Sequence, residues 1–240
     1  MQKKGAALLK PVVPRQNNMG DAPTGFRQRA QGLIQGAPQS VFADWGGAQQ
    51  FLEAYAADLT LTGQSLFQQL GPVTDLRKPV KIDVDDSDGL FCWFFHYHDA
   101  AAHAQKQGGH FHLFADGRFF GDSKPSADKT HLIAVELDQT GDLAGFFVPN
   151  RWTTNERVRP ATVLAPALDD FYASENSPDT LLSLWLSALL LVFKEDILEL
   201  LFQRDQYLNA MPLAERERYL NDASVARICE WRFDDNPTQA

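Results

Sequence analysis

Cysteine is almost missing from this chain: Cys92 and Cys229 are the two in 240 residues, far apart and outside any CxxC spacing. That argues against a disulfide framework and suits a reducing cytoplasm. Positive charge is also short, with 22 Lys and Arg against 31 Asp and Glu, a net charge of -9. A nucleic-acid backbone or an anionic membrane needs a basic face, so neither is expected as the main partner. Long hydrophobic runs are absent as well. The longest, residues 181–193, contains Ser183 and Ser187 and stops at Lys194, Glu195 and Asp196, too short to span a bilayer. Near the N-terminus, Lys10 and Pro11 interrupt the apolar stretch before it reaches signal-peptide length.

What is present is an ordinary globular composition, 44% hydrophobic and 22% charged, with 17 Phe and 5 Trp for an aromatic core. Such a length can bury most of its apolar surface. Residues 1–22 show little periodicity and read as a mobile tail, leaving residues 23–240 as one domain. A short helical pattern covers 26–34. Phe51, Leu52, Tyr55, Leu59, Leu66, Phe67 and Leu70 recur at helical spacing and predict one or two helices over 46–70, stopped by Gly71 and Pro72.

The periodicity then falls to two. KPVKIDVDD alternates, LFCWFFHYH is an aromatic strand, and HFHLFADGRFFGD reads as strand, Asp-Gly turn, strand. THLIAVELDQTGDLAGFFVPNRWTT repeats the plan. Consecutive hairpins predict an antiparallel meander over about residues 78–155. Ser177, Pro178 and Asp179 signal a helix start, and a long helix to about residue 209 is apolar nearly all round at first, so it belongs across the sheet as a buried element. PLAERERYLNDA adds a shorter helix and VARICEWRF a last strand. The fold class is α+β: one domain, with the meander packed against N-terminal helices and a long buried C-terminal helix.

All six histidines fall within residues 96–131. Random placement would give such clustering with a chance of roughly one in two thousand. His96 and His98 are two apart, as are His110 and His112, and side chains at i and i+2 leave one face of a strand. If the two strands pair, four imidazoles share a face, and His131 on a later strand can join them. Neutral imidazole suits a divalent transition ion, with Zn or Fe foremost. His96, His98, His110, His112 and His131 are therefore the candidate ligands, His110 and His112 first. His103 lies in the connection and is the weakest of the six.

The spacing of His110, His112 and His131 is similar to a cupin-type site. That motif has Glu four residues after its second His, where this chain has Asp116. Glu136 is a weaker carboxylate candidate, because its odd spacing from His131 turns it to the opposite face of a regular strand. Phe114 stands where a histidine-triad hydrolase needs its third His. DVDDSDG at 83–89 lacks the glycine and glutamate of a calcium loop and reads as a turn. Cys92 has the parity of His96, though a buried structural thiol is its simpler role. PNRWTTNERVR offers Arg151, Trp152 and Glu156 after a strand, and Arg151 is a candidate anchor for a carboxylate or phosphate.

HYHDAAAHAQKQGGHFHLF, THLIAVELD and FFVPNRWTTNE together resemble an uncharacterised bacterial family, a domain of unknown function. The resemblance implies a bacterial source and a shared hairpin core, and it supplies no catalytic residues. The functional expectation is a metal-binding protein built on the histidine cluster, with a small molecule as ligand or substrate. The alternative is a non-catalytic binding or accessory protein with a histidine-lined pocket.

Overall fold

Five strands join edge to edge in chain order: β1 (Phe91–His98), β2 (Gly108–Ala115), β3 (Thr130–Leu137), β4 (Leu143–Pro149) and β5 (Arg227–Arg232), every neighbouring pair antiparallel. The computed structural model describes residues 42, 44–70, 90–98, 108–123, 129–171 and 180–233, and not the side chains of Tyr97, His98 and Thr180. The meander is thus present, and VARICEWRF closes it as an edge strand against β4. The tail at 1–22, the helical pattern at 26–34, the alternating segment before residue 89, His103 and the Ser-Pro-Asp start signal lie outside the described residues.

Seven helices are found among the described residues: α1 (Trp45–Thr62), α2 (Leu66–Gln69), α3 (Arg151–Thr154), α4 (Ala161–Asp169), α5 (Thr180–Val192), α6 (Lys194–Asn209) and α7 (Leu213–Leu220). The fold is a single α+β domain. At the start of α1, Asp44 accepts from the Gly47 N–H at 2.8 Å; at its end Gly63 adopts φ 64°, the left-handed conformation that glycine takes without steric cost. None of these helices is long and apolar enough to cross a membrane.

The apolar stripe of each strand explains why helices cover one face. Trp93, Phe95, Phe111, Leu113, Ile133, Val135 and Phe146 all point into one core with Leu182, Leu186, Leu189 and Trp185 of α5. The Trp93 indole donates to the Ser183 hydroxyl at 3.1 Å, so the polar atoms of this contact satisfy each other. Helix α1 packs along α5, and both helices contribute to the same core as the sheet. An apolar helix between a sheet and another helix is buried all round, as its sequence requires.

Two expectations are corrected. The long C-terminal helix is broken at Phe193 (φ -102°, ψ 18°) into α5 and α6. Phe193 is buried against Phe146, Trp231 and Phe233, and Glu195 and Asp196 in the first turn of α6 favour a fresh N-terminus there. The segment after Asp116 is a short 3-10 helix (Gly117–Phe120) rather than a strand, because the Asp116 carboxylate accepts from the Arg118 N–H at 2.8 Å and caps it.

Candidate functional site

The register of β1, β2 and β3 brings the imidazoles together on the sheet face opposite the one that packs on α5. His96 stands directly across from His110, and Phe94 from His112, so these side chains share a face. His98 pairs with Gly108, which gives it the same parity on the backbone. Gly109 is required by close approach: a side chain there would collide with the Phe95 ring and the His96 carbonyl.

A β-bulge then decides what β3 contributes. Leu113 pairs with Ile133 and Phe114 with His131, leaving Leu132 as the extra residue. Leu132 and Ile133 are both fully buried in the apolar core. The extra residue resets the alternation, so His131 and Glu136 lie on the same face: Phe114 faces His131 while His110 faces Glu136. The expectation that Glu136 turns away is thereby corrected. Its carboxylate is held by Arg227 at 2.8 Å and Arg232 at 2.8 Å, and Arg227 stacks over the Phe147 ring at 3.9 Å.

The histidines are dry. His131 is 1% exposed, His112 3% and His110 7%, with Phe114 and Phe147 packed edge-on to the rings. His110 Nε2 lies 2.9 Å from His112 Nε2, and His112 Nδ1 lies 2.9 Å from His131 Nε2. A neutral imidazole has one donor and one acceptor, so this chain runs in one direction through His112. Burial, then the neighbouring His112 and Arg204, hold the His131 pKa well below the usual histidine value. His131 is therefore neutral at pH 7.

Half-buried His96 completes a triangle. Its ring centroid is 5.4 Å from that of His110 and 5.1 Å from that of His112, and those two are 4.6 Å apart. Among the described residues, however, no three His, Cys, Asp or Glu side chains are arranged to hold a metal ion as they stand. One ring cannot turn both its nitrogens to a single ion, so His112 separates His110 from His131. Cys92 is buried on the histidine side of β1 and lies 3.1 Å from Lys129 Nζ.

The backbone N–H of His131 donates to Glu156 Oε2 at 2.8 Å, and the Thr154 hydroxyl donates to Oε1 at 3.3 Å. Glu156 is brought here by α3, a single turn that Asn150 caps from a fully buried position. Burial pushes its carboxyl up to about 7, against the opposing pull of Arg204. Arg204, 2% exposed, bonds the Arg159 carbonyl and the Asp205 carboxylate, each at 2.6 Å. Sequence reading noted Glu156 without a role and missed Arg204. A signal existed: Leu200, Arg204 and Leu208 follow one another at intervals of four along an apolar stripe of α6, which marks a buried arginine. Arg151 does not reach this site; its Nη2 is 2.7 Å from Glu217 Oε2 on α7.

The chain belongs to a family described as a domain of unknown function (DUF6969), whose model matches residues 48–233. No curated protein and no solved structure matches it.

Proposed function

We propose that the histidine face binds one divalent transition ion, with Zn or Fe the best suited, and presents it to a small-molecule ligand or substrate. The observation that carries this reading is the 2.9 Å separation of His110 Nε2 and His112 Nε2 in a dry site where the other nitrogen of His112 is already engaged by His131. A tetrahedral ion about 2.1 Å from each nitrogen sets them roughly 3.4 Å apart, so a small rotation of either ring opens this pair to hold it. Three imidazoles on a tetrahedral ion space their ring centroids by roughly 5 Å, close to the triangle of His96, His110 and His112. The third donor is His96, by rotation of its side chain, or His98, which shares its parity on β1.

His131 then acts through His112. Accepting from His112 Nδ1–H fixes the tautomer that leaves the Nε2 lone pair for an ion, the usual support of a ligating imidazole. When bound, an ion on three neutral imidazoles keeps an open position and supplies Lewis-acid activation of water or substrate. The two free cysteines and the acidic balance fit a cytoplasmic protein with no nucleic-acid or membrane partner.

A second reading rests on the same two distances. At 2.9 Å each contact is also a good hydrogen bond, so the chain His110–His112–His131 serves as a proton relay in a histidine-lined pocket. Elemental analysis of the untagged chain, purified without chelator and then titrated with Co(II), separates the two. We expect about one equivalent of metal and a tetrahedral Co(II) spectrum, both lost in His112→Ala and His110→Ala with circular dichroism unchanged. Protein that takes up no Zn, Fe, Cu, Ni, Mn or Co favours the relay. Metal retained by both variants places the ion elsewhere.

A further inference from the structure

A cavity of about 540 Å³, with Glu156 but no histidine among its lining residues, opens between the α3 region, α6 and α7. Three guanidinium groups line it: Arg151, Arg157 and Arg216. Their charges are incompletely answered. Arg216 Nε is buried and has no hydrogen-bond partner, an unmet charged donor in the wall. Arg157 reaches Asp122 at 3.3 Å with most of its side chain exposed, and that carboxylate is more closely held by Arg159 at 2.6 Å. Of the acids on the wall, Asp205 is engaged by Arg204 and by the Ala161 N–H. Glu217, 52% exposed at its side chain, rests on Arg151 at 2.7 Å, where an incoming anion would bind.

We infer that this cavity is a binding site for a small organic anion whose carboxylate or phosphate group is clamped by Arg151, Arg157 and Arg216. Guanidinium groups present paired donors that match either head group, and Glu217 is a resident carboxylate that the ligand displaces. Leu208, Leu220, Val158 and Pro160 line most of the remainder beside Asn209, so the ligand carries a short, mainly apolar body, and the volume is that of a small-molecule site. Glu156 belongs to this wall and also holds the His131 backbone, so one carboxylate separates the anion's seat from the histidine chain. The site stands whether or not the histidines take a metal.

Calorimetric titration of the full chain with inorganic phosphate and, separately, with succinate tests this. We expect saturable binding of at least one, weakened about tenfold in Arg216→Gln and tightened in Glu217→Gln, where the competing carboxylate is gone. Phosphate alone identifies a phosphorylated ligand, and succinate alone a carboxylic acid. Failure of both anions to saturate by about 10 mM overturns the proposal, as does equal affinity in wild type and both variants. Glu217 is exposed, so its substitution remains informative even if Arg216→Gln fails to fold.

Discussion

On one side of β2, Phe111 and Leu113 meet Trp93, Phe95 and Trp185; on the other, His110 and His112 meet His96, His131 and Phe147. Both sides are buried, yet they are held by different physics. The apolar side rests on contacts that have no direction and many alternatives, so its strength lies in area removed from water. The histidine side rests on a few directional nitrogen contacts, and a buried imidazole that loses its partner has no water to replace it. The first side is therefore suited to stability and the second to chemistry.

The comparison is broken most forcefully from the apolar side. Trp93→Ala removes a fully buried ring and leaves Ser183 without its donor, at a cost of about 3–5 kcal/mol. Urea denaturation measures it. A loss no larger than that of His112→Ala would mean that the two sides do not divide the work as described.

Next in size is a pH effect. The Glu156 carboxyl sits at about 7 in the folded chain against an ordinary value of 4.5. A raised carboxyl pKa stabilises the fold below 4.5, and that contribution is lost as pH rises through 7. His131 works the other way: its lowered value gives stability above the ordinary histidine range that is lost as pH falls below it. Glu156→Gln keeps an acceptor for the His131 N–H and removes the first effect alone. The stability difference between variant and wild type should therefore shift in the variant's favour from pH 4.5 to 8, by on the order of 3 kcal/mol at most. A difference that stays level across that range would show that Glu156 is ionised in the folded chain.

The smallest expected effect sharpens the role of His131. In His131→Phe the His112 Nδ1 loses its partner while the site stays filled. Under the metal reading Co(II) affinity falls by roughly ten- to a hundredfold and the tetrahedral spectrum is kept. An altered coordination spectrum would instead make His131 a ligand.

Much of this was readable from residue order alone. The HxH spacing of His110 and His112 fixes a shared face once the segment is a strand, and turn chemistry located the hairpins through Asp138–Asp142, where Gly141 adopts φ 89°. The apolar sides of residues 181–193 announced a buried helix. Misreadings came where a distant partner outweighed the local pattern. Phe193 ends α5 because the β4–β5 aromatics hold its ring, and no residue within the run announces that.

Glu136 and Glu156 mark the boundary most clearly. Alternation along β3 puts Glu136 opposite His131, and it would stay there in a regular strand. Leu132 and Ile133 both enter the core, the strand bulges, and Glu136 returns to the histidine face. Glu156 reaches the His131 backbone across 25 residues through a capped turn. The sequence by itself determined the strands β1 to β5, the helical character of the apolar run and the shared parity of His110 and His112, because these depend on spacing within a few residues. The tertiary structure alone decided the bulge, the raised carboxyl of Glu156 and the seating of Arg204, because those depend on which distant atoms exclude water around each group.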